Sequence, residues 1–136
     1  MTNDKIQMTK EIQNSNIKTK IKTKKYDLEE RTLKFAKNCI DLCQLLIRNV
    51  INKELVSQLI RSSCSVGANY REANDTDTKK DFYHRIGICR REAKESKYWL
   101  ELLLHSSQKS SDKITPLIDE ATQLVRIFAS IVKTKG

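Results

Sequence analysis

The chain has 136 residues, enough for one domain around a single hydrophobic core. The chain has only three Gly and one Pro, the residues that favour turns, and 32% of its residues are charged. Together these features favour long helices with solvent-exposed outer faces. No apolar run approaches the roughly 18 to 20 residues of a membrane span. The start of the chain also lacks the apolar core of a signal peptide, so we expect a cytoplasmic protein without a membrane partner.

Residues 1–25 differ in composition from the rest of the chain. They hold seven Lys against Asp4 and Glu11, so they contribute +5 to the net charge of +9. Their apolar content is too low to offset the entropy of ordering, and they offer almost no bulky apolar face to a membrane. We therefore predict a flexible tail over 1–25 and a folded domain over 26–136. A nucleic-acid-contacting arm and a solvated leader both fit the tail.

The first helix is predicted to begin at Asp27, with Glu30 at the capping-box spacing, and to run to about Arg48. Cys39 and Cys43 stand one turn apart and could together touch a soft metal. Two thiols without a nearby His or a second Cys pair make a weak site, so we expect no metal. The four cysteines are instead expected to be reduced, small core residues. The predicted core stripe is Leu28, Phe35, Cys39, Leu42 and Leu46.

The second helix is predicted over residues 53–73, with Asn52 as its cap. Its middle is unusually rich in small residues, and a mid-helix Gly such as Gly67 costs roughly 0.5–1 kcal/mol relative to Ala. Close approach by a neighbouring helix would compensate for that cost. A phosphate loop would need a glycine cluster and a preceding strand, and a nucleophile such as Ser63 would need a positioned base. Neither is visible, so no catalytic residue is expected here.

The third helix follows a turn at 74–78 that is rich in capping residues, and it extends to Ser106. This turn lacks the glycine and the distal Glu of a calcium-binding loop. At 100° per residue the helix divides into three faces. The core face comprises Phe82, Ile86, Cys89, Ala93, Leu100 and Leu104, with Ser96 and Leu103 at its edge. The basic face comprises Lys79, Lys80, Arg90, Arg91, Lys94 and Lys97, with Tyr83 and Tyr98 among them. The third face comprises Asp81, Ile88, Glu92, Glu95, Trp99 and Leu102.

The third face carries a second apolar group, whereas a surface helix of a monomer needs only one. We therefore predict that Ile88, Glu92, Glu95, Trp99 and Leu102 form an oligomer interface. The carboxylates could pair with an Arg of the second or third helix, within or between subunits. Solvated surface charges with weak pairing along the helix are the alternative. The candidate pairs join Glu72, Glu92 or Glu95 to Arg61, Arg71 or Arg85.

A polar loop is predicted over residues 106–113, followed by a fourth helix capped by Thr115 with Pro116 in its first turn. Its stripe comprises Leu117, Ala121, Leu124, Phe128 and Ile131. Four helices of about 20 to 29 residues with short connections predict an all-α, antiparallel up-down-up-down four-helix bundle.

Two segments carry a family resemblance. They are residues 62–73 (SSCSVGANYREA) and residues 81–82 (DF) followed by 91–103 (REAKESKYWLELL). Both resemble the signatures of the four-helix-bundle proteins encoded by intervening sequences in bacterial 23S rRNA genes, which are related to the accessory protein of diversity-generating retroelements. The resemblance spans residues 26–133. It implies a ring, typically a homopentamer, and a nucleic-acid role that is clearest for the retroelement relatives.

Two functional hypotheses follow. In the first, a non-enzymatic oligomer binds RNA or DNA through the basic face of the third helix, with Tyr83 and Tyr98 available either to stack on bases or to pack. In the second, the protein is an interaction scaffold whose basic face docks an acidic partner such as a polymerase. Paired carboxylates, a metal quartet and a nucleophile with a placed base are all missing from the pattern. We therefore expect neither an enzyme nor a cofactor.

Overall fold

The computed structural model describes residues 27–134, and within that range it contains four α-helices and no strand. The helices are α1 (Leu28–Leu45), α2 (Val50–Asn74), α3 (Lys79–Ser106) and α4 (Ser111–Lys133), with a short 3₁₀ helix at Gln108–Ser110. Each helix packs against the next, and α1 also contacts α4, which closes the bundle. The predicted all-α four-helix bundle is confirmed. The tail predicted over 1–25 lies outside the described residues, so the division of the chain there stays a prediction.

The start of α1 is where the sequence predicted it. The backbone N–H of Glu30 donates to the Asp27 carboxylate at 3.4 Å, and Asp27 itself has a left-handed backbone with φ of 30°. The predicted end at Arg48 is wrong, because Leu46 is already extended and the chain turns there toward α2. Arg31 on α1 forms an ion pair with Glu120 on α4 at 2.7 Å, which joins the first helix to the fourth.

The cap of α2 is Asn49, not Asn52 as predicted. The Asn49 side chain accepts a hydrogen bond from the Asn52 backbone N–H at 2.8 Å, so α2 begins three residues earlier than expected. The Asn52 side chain is buried. Its amide donates to the Ile47 carbonyl at 2.8 Å and to the Ser107 hydroxyl at 3.3 Å. Asn52 therefore joins the α1–α2 turn to the end of α3 instead of starting a helix.

The cap of α3 is Thr78, whose hydroxyl accepts from the Asp81 backbone N–H at 3.1 Å, in the turn that the sequence predicted. The predicted start of α4 at Thr115 is wrong. The helix begins at Ser111, directly after the 3₁₀ turn, and Pro116 lies inside it. Pro lacks an N–H, so it withholds one helical hydrogen bond at this position.

The core draws on all four helices. On α3 the predicted core face is confirmed except that Leu103 is fully buried and Leu104 only partly. Gly67 provides the predicted close approach, since a Cβ added there would lie 3.0 Å from the Thr32 hydroxyl oxygen on α1. The largest fully buried side chains are Phe35, Phe128, Leu28, Leu59, Ile86, Leu100, Leu103, Ile114, Leu124 and Val66. Among helices in the described range, none combines the length and apolar character needed to cross a bilayer.

Candidate nucleic-acid and assembly surfaces

Two side-chain contacts fix how α3 is rotated in the bundle. The Ser96 hydroxyl donates to the Ser62 hydroxyl on α2 at 2.9 Å. Arg85 donates to the Asn69 side chain, also on α2, at 2.9 Å. These residues lie on the side of α3 that carries the predicted assembly residues. At 100° per residue, Arg90, Lys94 and Lys97 lie on the other side of the core face from these two contacts.

The basic face, called here the basic arc, has two parts. Arg90, Arg91, Lys94 and Lys97 lie within two turns, whereas Lys79 and Lys80 stand about 15 Å away at the start of the helix, by the rise of 1.5 Å per residue. Arg90 and Lys97 are half-buried and the other four are exposed. Among the described residues, none of the six forms an ion pair within 4.0 Å. Within the described residues, the six cations are therefore not neutralised by direct ion pairs.

The two tyrosines of the basic arc have different environments. Tyr83 is buried and packs edge-on against Phe82, with ring centroids 5.3 Å apart, so of the two predicted alternatives it packs and does not stack on bases. Tyr98 is 54% exposed and lies beside Lys94 and Lys97 in the sequence pattern. The Tyr98 ring also contacts the indole of Trp99 at 5.1 Å. Only Tyr98 of this pair offers a ring face to a ligand.

The predicted assembly residues lie together beside α2 and are called here the α3 strip. Ile88, Glu92, Trp99 and Leu102 are half-buried and Glu95 is exposed. Trp99 packs against the core of its own chain. Its indole N–H is buried and has no acceptor within the described part of the chain. The second apolar group is thus partly covered by its own subunit, and its role in assembly stays a prediction.

The predicted pairing of the strip carboxylates with Arg61 is confirmed within the subunit. The Arg61 guanidinium lies 3.4 Å from Glu92 and donates to Glu95 at a shorter distance. Arg61 and Glu95 are each 49% exposed, so these pairs contribute little stability and mainly fix the register between α2 and α3.

One surface was not predicted from the sequence. Where α1 turns into α2, a groove of about 700 Å³ opens between the two helices. Ile47 and Val50 at its edge are 70% and 80% exposed. The apolar residues around Asn49 were a signal for this surface, but the first helix was predicted to run to about Arg48 and therefore to include Ile47. The groove, called here the corner groove, is lined by Ile40, Cys43, Gln44, Leu46, Ile47, Arg48, Asn49, Val50, Asn52, Lys53, Val56, Ser57 and Ile60.

The four thiols are free. Cys39 and Cys89 are buried and Cys43 is half-buried, but Cys64 is exposed, so the expectation of four core cysteines is wrong for Cys64. Burial raises the pKa of the Cys39 and Cys89 thiols to about 12 and the pKa of Cys43 to about 11. A thiol with a raised pKa stays protonated at neutral pH and is a poor nucleophile and metal ligand. Within residues 27–134, no group of three or more His, Cys, Asp or Glu side chains is placed to hold a metal ion.

Comparison with known proteins identifies the family. The sequence model of the 23S rRNA-intervening sequence protein matches residues 24–130. A solved structure from Bacteroides thetaiotaomicron VPI-5482, described as a protein with unknown function from the S23 ribosomal protein family, is 29% identical with a TM-score of 0.69. The match covers 77% of this chain and 97% of that one. No curated protein matches. The chain belongs to the 23S rRNA-intervening sequence protein family.

Proposed function

We propose that this protein is a non-enzymatic cytoplasmic oligomer, a homopentamer, that binds nucleic acid through the basic arc of α3. The observation that carries the proposal is the cluster of Arg90, Arg91, Lys94 and Lys97, four cations within two turns of one helix. None of them is paired with a carboxylate in the part of the chain that the structure describes. Unpaired cations on one face are the electrostatic footprint of a surface that binds phosphates.

The spacing of the four cations suits a phosphate backbone. From Arg90 to Lys97 the helix rises about 10 Å, and each strand of duplex DNA carries about three phosphates over the same length of the duplex axis. Tyr98 adds an exposed ring beside the cations, which could stack on an unpaired base. Contacts of this kind read the backbone and not the bases. We therefore expect binding that tolerates sequence changes and weakens steeply with salt.

Assembly strengthens this function. A single arc with four clustered cations gives only weak binding at physiological salt. A ring repeats the arc in every subunit, and linked weak sites bind one polymer with much higher avidity. The α3 strip, with half-buried Ile88, Trp99 and Leu102, is the surface through which we propose that subunits meet.

The chemistry of the polar core supports a role without catalysis. The Ser62 and Ser63 hydroxyls are buried and face the carbonyls of Leu59 and Ile60, which are not bases. The thiols of Cys39 and Cys89 are kept protonated by burial. A nucleophile needs the opposite environment, with a positioned base or a lowered pKa.

The test is a salt titration of binding to a structured RNA and to duplex DNA, followed by fluorescence anisotropy. The arc variant is Arg90→Glu, Arg91→Glu, Lys94→Glu. The matched control reverses three exposed cations on α1 and α2, Lys34→Glu, Lys37→Glu and Arg71→Glu, so the net charge is the same. We expect the arc variant to lose about tenfold or more in affinity at low salt and the control to stay within about threefold.

Two results would overturn the proposal: no binding by the wild-type protein at low salt, or equal losses in the two variants. The alternative function is a scaffold whose basic arc docks an acidic protein. A stoichiometric protein partner that stays bound after nuclease treatment, and that the arc variant fails to capture, would favour this alternative.

A further inference from the structure

The corner groove is an apolar surface that nothing in the described chain covers. Ile47 and Val50 expose most of their side chains at its edge, and Val56 and Ile60 lie inside it. The groove has a volume of about 700 Å³. Contiguous apolar surface of this kind on a folded domain marks a contact with another molecule, since its exposure to water is unfavourable.

We infer that the corner groove receives the α3 strip of a second copy of this chain. The inference rests on the proposed assembly and specifies which two surfaces meet. The strip supplies Ile88, Trp99 and Leu102 as apolar groups. The groove supplies the apolar walls of α1 and α2, whose exposed residues would be covered by the contact.

Charge complementarity identifies the strip as the occupant. The charged residues lining the groove are Arg48 and Lys53, both basic. On the strip, Glu92 and Glu95 both pair with a single guanidinium, that of Arg61, so two carboxylates share one cation within 4.0 Å. Glu95 is 49% exposed and can face a neighbour. A positive rim and a negative strip attract each other and set the orientation of the docking.

Two other occupants are disfavoured by the same charges. If two corner grooves met face to face, Arg48 and Lys53 of one copy would approach the same residues of the other, and like charges repel. The Lys-rich residues 1–25 carry +5 and would meet the same repulsion. Within residues 27–134, the α3 strip combines apolar groups with two carboxylates that share one cation.

The placement of the two surfaces allows a repeating contact. Val56 and Ile60 line the groove on one side of α2, whereas Arg61 and Ser62 on its other side contact α3. One subunit can therefore offer its groove to one neighbour and its strip to another. A contact between two different surfaces is heterologous, and it closes into a ring when the rotation per subunit allows it.

The first experiment compares two double variants by light scattering after size exclusion. Ile47→Lys with Val50→Lys places two charges in the groove. The control, Leu45→Lys with Ile51→Lys, makes the same change at two residues that are 61% and 63% exposed and do not line the groove. All four side chains are exposed, so both variants should fold, which circular dichroism checks. We expect the groove variant to dissociate at concentrations at least about tenfold higher than the wild type and the control.

The second experiment identifies the meeting surfaces by cross-linking. Val50→Cys and Leu102→Cys are introduced into separate chains that also carry Cys64→Ser, which removes the exposed native thiol. After mild oxidation we expect a disulfide between the two kinds of chain when they are mixed, and none when either is oxidised alone.

The outcomes separate the inference from the proposed function. If the wild-type protein is a monomer, both the proposed oligomer and the inferred contact between groove and strip are wrong. An assembled wild type whose groove variant stays equally assembled would overturn the inference alone. Cross-links between two Val50→Cys chains would show groove-to-groove contact. If deletion of residues 1–25 dissociates the oligomer and Val50→Cys forms no cross-link to Leu102→Cys, the occupant of the groove is the tail. Either result would also overturn the inference.

Discussion

Gly67 on α2 lies directly against Thr32 on α1. A Cβ added at Gly67 would be 3.0 Å from the Thr32 Oγ1 atom and 3.3 Å from its Cβ. Thr32 cannot easily turn away, because it is buried and its hydroxyl donates to the Leu28 carbonyl. The lack of a side chain at Gly67 thus allows the first two helices to approach closely at this point.

Gly67→Ala is therefore expected to destabilise the bundle by about 1–2 kcal/mol, because overpacking outweighs the gain of about 0.5–1 kcal/mol in helix propensity. Gly87→Ala on α3 is the matched control. An added Cβ there meets nothing within 4 Å, so we expect it to stabilise by about 0.5–1 kcal/mol. Urea denaturation measures both. If both variants are equally stabilised, the close contact with Thr32 has no energetic role.

Asn52 is expected to contribute more to the stability of the fold than Asn49, which caps α2. Asn52→Ala would leave the Ile47 carbonyl and the Ser106 and Ser107 hydroxyls without their side-chain partner near the core. We expect a loss of about 2–3 kcal/mol. Asn49→Ala removes one capping hydrogen bond and should cost about 1 kcal/mol. Thermal unfolding of the two variants checks the order, and a larger cost at Asn49 would contradict this account of the α1–α2 turn.

The two Asn residues also show what local sequence can and cannot predict. Periodicity and capping residues placed the four helices and the start of α1 at Asp27. Asn49 and Asn52 are the same residue type three positions apart, so capping preference alone cannot choose between them. The Asn52 amide instead donates to Ser107, which is 55 residues further along the chain and therefore outside any local pattern. Pro116 misled in a similar way, since Pro is favoured in a first turn but here lies inside α4.

The candidate surfaces were likewise predictable only where they depend on local helical spacing. Helical spacing separated the basic arc from the α3 strip, because both lie on one regular helix. It could not choose between stacking and packing for Tyr83, which the structure shows buried against Phe82. It also missed the corner groove. The exposure of Ile47 depends on α1 ending at Leu45, and a longer helix would have kept Ile47 on its flank.

Buried thiols are expected to make the protein less stable in alkali. Burial raises the pKa of Cys39 and Cys89 to about 12 from an ordinary value of 9.0. The folded state therefore holds these protons more tightly than the unfolded chain. The contribution of these two thiols to the free energy of unfolding is complete below pH 9 and is lost as the pH rises toward 12. Each thiol should reduce the free energy of unfolding by up to about 1.4 kcal/mol per pH unit in this window.

The measurement is the free energy of unfolding between pH 8 and about 10.5, under reducing conditions. Cys39→Ala with Cys89→Ala will be less stable at pH 8 because it creates cavities, but its stability should fall less steeply with pH than that of the wild type. Parallel pH profiles for the two proteins would mean that these thiols ionise equally in the folded and unfolded states.

Trp99 is expected to tolerate loss of its indole nitrogen. The N–H is buried without an acceptor among the described residues, and an unsatisfied buried donor costs about 1–3 kcal/mol. Trp99→Phe removes this donor along with part of the apolar ring, so the two effects should nearly cancel and leave a change below about 1 kcal/mol. Trp99→Ala also removes the ring that packs on the core, and should cost at least about 2 kcal/mol. Chemical denaturation at a concentration where sedimentation shows one species separates folding from assembly. A large loss in Trp99→Phe would mean that the indole N–H has an acceptor after all, either outside residues 27–134 or on a neighbouring subunit.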